Sequence, residues 1–180
     1  MNEKKQCIFL ITVITFLLSI FISQTAFAEK SESYKGLWDE QQEAYLISNV
    51  DELKIFRNSL SEYDYSGKTV LLNNDIEIKS NDDVGNAIKT TFNGYFNGQG
   101  HSIIGYNDST CGLFYIIGEN AVITKLNLNV DVELKEKTSY GSYGEYAPLA
   151  FIQFGKVAYC SVSGEINASS ETLFYIEGFI

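Results

Sequence analysis

The sequence predicts an all-β solenoid with one short α-helix near the start of the mature chain. Three observations support this prediction: short β-branched and aliphatic runs, clusters of Gly, Asn and Asp between them, and repetition of one strand-turn-strand unit. Helical stretches do not separate the strands, so the α/β alternation of nucleotide-binding folds is not predicted. Units that cannot bury their own apolar face must stack on neighbouring units, as they do in solenoids.

The first 28 residues have the pattern of a signal peptide. Lys4 and Lys5 precede an apolar run at 8–22, and the sequence AFA at 26–28 is a small-x-small cleavage site. The run is shorter than the roughly 20 residues that span a bilayer, so a membrane anchor is the less favoured alternative. The sequence predicts a secreted or cell-surface protein that begins at Glu29 and has no stable membrane span after cleavage.

The mature chain, 29–180, is acidic. Loss of Glu3, Lys4 and Lys5 with the signal peptide leaves 11 basic and 22 acidic side chains, a formal charge of −11. Binding to phosphate backbones needs a basic patch, and the Lys and Arg residues do not cluster in the sequence. Nucleic acid is therefore not a predicted partner.

A polar leader (29–44) precedes the β-domain (45–180), and AYLIS (44–48) is a short strand candidate. A helix is predicted at about 49–60, because apolar residues recur there at helical spacing, namely Leu53, Phe56 and Leu60. Either Ser48 with Asp51 or Asn49 with Glu52 provides a capping-box pair at its start. We expect this helix to cap the amino-terminal end of the solenoid.

Two later segments are typical of strands. KTVLLNNDIEI (68–78) is β-branched and aliphatic, and two asparagines interrupt it. AVITKLNLNVDVEL (121–134) alternates apolar and polar residues, with the apolar set Leu126, Leu128, Val130, Val132 and Leu134. This alternation predicts one buried face and one solvated face.

The strand units repeat along the chain. LFYI occurs at 113–116 and again at 173–176, and LAFI stands at 149–152. Alignment of the segments that follow the first two copies matches Ile123 with Val157, Leu126 with Cys160, and Leu128 with Val162. We expect the matched residues to lie on neighbouring strands.

The segments FNGYFNGQGHSIIGY (92–106) and GLFYIIGENAVITKLNL (112–128) resemble the repeats of bacterial surface proteins that carry GLUG-type repeats. The resemblance covers about 45–180 and implies a right-handed parallel β-helix. Three rungs depart from the pattern, since the second glycine of GL[FV]G is replaced by Tyr115, Phe151 and Tyr175. Relatives continue for more repeats, so the end at Ile180 predicts truncation at the carboxyl-terminal end, as in a fragment of a longer chain, or end-to-end self-association through the last strands.

Glycines and the only histidine of the chain, His101, suggest a ligand site in 92–106, but the motifs fail. The run that begins at Gly98 and Gly100 has Ile103 where a dinucleotide fingerprint needs glycine, and no P-loop lysine follows. One histidine with two distant cysteines cannot supply the usual zinc ligands, and no nucleophile elbow accompanies a Ser-His-Asp set. We expect a chain turn, and the family pattern implies that His101 is a structural corner residue.

A carboxylate pair is the remaining catalytic candidate, because glycoside hydrolysis uses two carboxyl groups on either side of one bond. Asp75, Asp82 and Asp83 are available, but the last two lie in a polar segment that is typical of a solvated loop. The sequence therefore predicts no catalytic residues, no metal site and no cofactor, so the protein is not predicted to be an enzyme. Whether Cys111 and Cys160 pair is left open by the sequence.

The segment TSYGSYGEYAPL (138–149) is the candidate recognition site, because Tyr140, Tyr143 and Tyr146 recur at every third residue among Gly and Ser. Tyrosines in such loops supply amphipathic contact area. The predicted function is a non-catalytic binding or adhesion module for glycans or for host or matrix proteins. The alternative, which the resemblance suggests, is the non-catalytic amino-terminal part of a larger secreted enzyme, such as a metallopeptidase that cuts immunoglobulin A.

Overall fold

A computed structural model describes residues 33–134, 144–168 and 174–176. The chain divides into two compact units, Met1–Gly36 and Leu37–Ile180. Of the first unit only 33–36 are described, as the beginning of a 3-10 helix, Ser33–Leu37. The fold below is that of the second unit.

The described residues form one α-helix, α1 (Val50–Ser59), and fifteen β-strands. The strands in chain order are β1 (Trp38–Asp39), β2 (Ala44–Ile47), β3 (Thr69–Leu72), β4 (Ile76–Glu77), β5 (Thr91–Phe92), β6 (Tyr95–Asn97), β7 (Ser102–Tyr106), β8 (Phe114–Ile117), β9 (Val122–Thr124), β10 (Asn127–Leu134), β11 (Gly144–Tyr146), β12 (Ala150–Gln153), β13 (Lys156–Ala158), β14 (Ser161–Ala168) and β15 (Phe174–Ile176). The all-β prediction with one short helix is confirmed at this level.

The strands belong to four sheets. The first sheet has the order β1-β2-β3-β6-β9-β13, the second β4-β7-β10-β14, the third β5-β8-β12, and the fourth β11-β15. Every strand pair is parallel except β1 with β2, which is antiparallel. From β3 to β10 the chain enters the first, second and third sheets in turn and then repeats that order.

The register confirms most of the predicted repeat alignment. Ile123 pairs with Val157 in the first sheet, and Leu128 pairs with Val162 in the second. LFYI at 113–116 lies beside LAFI at 149–152, as the pairing of Phe114 with Ala150 shows. The second LFYI, at 173–176, differs from this pattern because β15 pairs with β11 and not with β12.

Corners divide both of the strand segments noted in the sequence. The segment 68–78 forms β3 and β4 on either side of its two asparagines, as the sequence indicates, whereas the alternating segment 121–134 is divided into β9 and β10 at Lys125, which has a positive φ of 51°. The apolar residues of β10 and its lead-in alternate as predicted: Leu126, Leu128, Val130, Val132 and Leu134 are all buried.

The start of the β-domain also includes residues from the predicted leader, 29–44. Trp38 and Asp39 pair antiparallel with Tyr45 and Ala44, and the Trp38 ring meets the Tyr45 ring edge-on at a centroid distance of 5.1 Å. Leu37 is buried. The edge of the first sheet therefore begins several residues before Tyr45.

Helix α1 forms where the sequence predicts it. Asn49 is the N-cap, and its side chain accepts a hydrogen bond from the Glu52 backbone N–H at 2.9 Å. Glu52 in turn accepts from the Ser48 backbone N–H at 2.7 Å, which selects the Asn49–Glu52 pair over the alternative. Leu53, Phe56 and Leu60 are buried on one face.

The core is an aromatic cluster beneath this helix. The Phe56 ring lies 5.8 to 6.2 Å from the rings of Phe92, Phe96 and Phe114, which come from β5, β6 and β8. The Phe92 and Phe114 rings are 5.2 Å apart. Because these strands belong to two different sheets, the cluster ties the helix to both of them.

Candidate functional site

The predicted tyrosine site falls only partly within the described residues. Tyr140 and Tyr143 lie outside them. Tyr146, at the end of β11, is 2% exposed, and its hydroxyl has no hydrogen-bond partner among the described residues. Burial, with Asp108 and Cys111 nearby, raises the pKa of Tyr146 far above the usual tyrosine range. Its ring is packed inside the protein and is not available to a ligand at the surface.

The glycine-rich segment 92–106 is largely strand, since it contains β6 and β7, and the predicted turn is confined to the short corners between the strands. Gly98–Gly100 separate β6 from β7, and a Cβ on Gly98 would lie 2.3 Å from the Lys125 carbonyl oxygen, so a side chain would not fit. His101 is in the same corner, where its Nδ1 lies 3.2 Å from Asp75 Oδ1. The same carboxylate oxygen accepts the Ser102 backbone N–H at 2.8 Å.

The three candidate carboxylates are held in local contacts. Lys54 donates to Asp83 across 2.8 Å, and Asp82 accepts the Lys79 backbone N–H. The pKa of Asp83 is lowered, chiefly by Lys54, and the pKa of Asp75 is lowered, chiefly by the Ser102 N–H. A general acid needs the opposite shift. This arrangement favours local structural roles for the carboxylates.

The most heavily bonded polar side chain in the described ranges is one that sequence reasoning missed. Arg57 is fully buried, and its Nη2 lies 2.7 Å from Asp108 Oδ2. Its other N–H groups donate to the backbone carbonyls of Val84, Gly85, Gly112 and Leu113. A signal was present in the sequence, because Leu53, Arg57 and Leu60 have the i, i+4, i+7 spacing of one helix face.

Tyr106 and Cys111 complete this cluster. The guanidinium of Arg57 lies over the Tyr106 ring at 5.3 Å, and the Tyr106 hydroxyl donates to the Gly112 carbonyl at 3.0 Å. Burial raises the pKa values of the Tyr106 hydroxyl and of the Cys111 thiol. Cys111 and Cys160 are both free thiols. A buried thiol with a raised pKa is a poor nucleophile, so the cluster is suited to holding loops together.

Two features of the described residues bear on metals and membranes. They contain no group of three His, Cys, Asp or Glu side chains arranged to hold a metal ion. Within the same ranges, no helix has the length and apolar character that crossing a membrane requires.

Large aromatic side chains are exposed around β13. Phe154, just before this strand, is 65% exposed, and Tyr159, just after it, is 86% exposed. In the third sheet, the rings of Tyr115 and Phe151 stack 5.3 Å apart at an interplanar angle of 17°. We call these four residues the aromatic ridge.

The backbone is held in place at Phe154 and Tyr159, the two ridge residues whose side chains are exposed. The Phe154 N–H donates to the Ile117 carbonyl at 2.8 Å, and Tyr159 has a positive φ of 57°. A non-glycine residue keeps that conformation only where its surroundings fix it. The ridge thus presents aromatic side chains from a fixed framework.

Comparison of the chain with protein-family models, with curated proteins and with solved structures gave no match.

Proposed function

We propose that the mature chain is a non-catalytic binding module that acts outside the cell or at its surface, and that its β-domain is a right-handed parallel β-helix. The parallel pairing and the recurring order of three sheets support this architecture. The signal-peptide pattern supports export. The targets are glycans or host or matrix proteins.

The exposure of Phe154 and Tyr159 is the observation that carries the proposed binding function. Large aromatic side chains are usually buried in a soluble domain, and they are enriched where binding energy is concentrated. Here two of them are exposed within six residues, and the third sheet carries a stacked aromatic pair. An aromatic surface of this kind can stack on sugar rings or fill apolar pockets of a protein partner.

The test is binding of purified residues 29–180 to immobilised glycans and matrix proteins. In the Phe154→Ala/Tyr159→Ala double variant, we expect at least about a tenfold loss of affinity for the strongest binder, as for residues at the centre of an interface. Tyr95→Ala is the matched control, because Tyr95 is also exposed but lies outside the ridge. Absence of binding to the whole panel, or equal binding by the double variant, would refute the proposal.

A further inference from the structure

A cleft of about 330 Å³ opens beside the end of α1, away from the aromatic ridge in sequence. One wall is 60–64, which follows the helix, and the other is 89–91, which leads into β5. We propose that this cleft is a subsite for an uncharged sugar unit of a glycan. The inference rests on the proposed function and narrows it to one ligand class at one place.

Tyr63 provides the aromatic wall. The ring is half-buried, and it packs against the rings of Tyr65 and Tyr45 at centroid distances of 4.8 and 6.1 Å. These contacts hold the ring in place while part of it remains accessible. One face of a pyranose ring carries mostly C–H groups, which pack well on an aromatic side chain.

The rest of the lining is polar. Asp64 accepts hydrogen bonds from the Ser66 backbone N–H at 3.0 Å and from Asn93 Nδ2 at 2.9 Å, which fix its carboxylate. The side chains of Glu62 and Lys89 are exposed and make no hydrogen bond or ion pair within the described ranges. A sugar hydroxyl both donates and accepts hydrogen bonds. The carboxylates can accept from it and the ammonium group can donate to it, so the cleft offers partners for both roles.

The charge of the cleft selects against other ligand classes. Glu62 and Asp64 place two negative charges there against the single positive charge of Lys89. A phosphate or sulfate group would meet net repulsion, and an apolar ligand would leave these polar groups without partners. An uncharged polyhydroxylated ligand avoids both costs.

The walls are also held in position before any ligand arrives. The Asn93 N–H donates to the Asp64 carbonyl at 2.7 Å, which joins the first wall to the turn after β5. Tyr65 and Lys89 both have positive φ values, 58° and 59°, although neither is glycine. Such conformations persist where the surroundings impose them, and a site formed in advance loses less entropy on binding.

The test uses residues 29–180 and uncharged tetrasaccharides of glucose and of N-acetylglucosamine as probes, with affinity measured by titration calorimetry. We expect Tyr63→Leu to weaken binding at least about tenfold and Tyr95→Leu, at an exposed tyrosine outside the cleft, to leave it unchanged. We also expect less than a twofold change in affinity between low and high salt, because the ligand carries no charge.

Two further cleft variants keep the test decisive if Tyr63→Leu does not fold. Glu62→Ala and Lys89→Gly change exposed side chains, and glycine accepts the positive φ at position 89. Either should weaken binding several-fold while the circular dichroism spectrum stays that of the wild type. Unchanged binding in all three cleft variants, or a preference for sulfated probes, would overturn the proposal.

The outcomes separate this inference from the general proposal. Loss of glycan binding in the ridge variant alone would refute the cleft and leave the proposed function standing. Loss of glycan binding in the cleft variants alone would support the proposed sugar subsite and refute the role of the aromatic ridge in binding. Binding only to proteins would refute the cleft, and binding to nothing would refute both proposals.

Discussion

Arg57 is the charged residue among the buried side chains of α1, which also include Leu53, Phe56 and Ser59. Burial alone would lower its pKa, but Tyr106 and Asp108 beside it outweigh that effect, and the pKa is raised. Its guanidinium forms hydrogen bonds with two irregular segments, Val84–Gly85 and Asp108–Leu113, and so links both of them to α1. The residue therefore fixes irregular segments whose carbonyl groups would otherwise be buried without partners.

Replacement of Arg57 by Met should strongly destabilise the domain. Removal of one partner leaves the Asp108 carboxylate and several buried carbonyls unsatisfied, which costs about 3–5 kcal/mol for a buried ion pair. Urea unfolding followed by circular dichroism would measure this loss. The control is Lys54→Met on the same helix, because the Lys54–Asp83 pair has a lysine side chain 41% exposed. We expect the control to leave the free energy of unfolding close to that of the wild type, because exposed ion pairs contribute little, and equal losses in both variants would contradict this account.

Tyr146 and Tyr106 are both buried tyrosines near Asp108, but only Tyr106 has a hydrogen-bond partner within the described chain. Tyr106→Phe should therefore lower the free energy of unfolding by about 1 kcal/mol. Tyr146→Phe should leave it unchanged or raise it, since it removes a buried hydroxyl that makes no bond. The two variants can be compared in the same urea titration. A loss at Tyr146 as large as that at Tyr106 would mean that its hydroxyl is bonded after all.

At the scale of elements, the start of α1 depends on one side chain and one backbone group. The Asn49 side chain accepts an N–H of the first turn, whereas Ser48 contributes only its own backbone N–H. Asn49→Ala should therefore cost about 1 kcal/mol in thermal or urea unfolding, and Ser48→Ala should be close to neutral. A larger effect at Ser48 would show that the cap had been assigned to the wrong residue.

Some strands could be predicted from the sequence because they carry a local signal, whereas β1 lies in the predicted leader and β6 and β7 lie in a segment predicted to turn. Alternation in 126–134 predicted the buried face of β10, and the match of Leu128 with Val162 predicted a pairing. The second LFYI shows the limit of letter identity. Its strand, β15, pairs with β11, because register depends on the length of the intervening chain as well as on the apolar pattern.

The candidate sites were harder to predict, for a physical reason. Arg57, Asp108 and Cys111 meet only after the chain has passed through several strands, and local periodicity holds no information about that distance. The exposure of Phe154 and Tyr159 was missed too, because an aromatic residue in a strand-rich segment is normally assigned to the core. The prediction for Tyr146 had the opposite error. A tyrosine among Gly and Ser was assigned to the surface, but Tyr146 is buried.

At the scale of the whole molecule, the spacing between paired parallel strands in the first three sheets changes once along the chain. Tyr95 pairs with Val122 and Ser102 with Asn127, at separations of 27 and 25 residues. Val122 pairs with Lys156 and Phe114 with Ala150, at separations of 34 and 36 residues. Both of these later separations include 135–143, a nine-residue stretch outside the described ranges. Without it, each would return to the earlier range of 25 to 27.

Deletion of 135–143 should therefore leave a folded domain. The pairs in the first three sheets would then have the spacing that the earlier strands already use. We expect an unchanged circular dichroism spectrum and a free energy of unfolding within about 1 kcal/mol of the wild type. The same variant lacks Tyr140 and Tyr143, so its affinity for the panel of glycans and matrix proteins also measures what those two tyrosines contribute.

The matched control is deletion of another nine residues, 79–87, between β4 and β5. This segment includes the carbonyls of Val84 and Gly85 that Arg57 binds, and the buried side chains of Val84 and Ala87. Its removal should unfold the domain, because buried contacts are lost together with the partners of the guanidinium. If deletion of 135–143 were as damaging as deletion of 79–87, the repeating spacing would not govern the fold, and this result would count against the proposed β-helix.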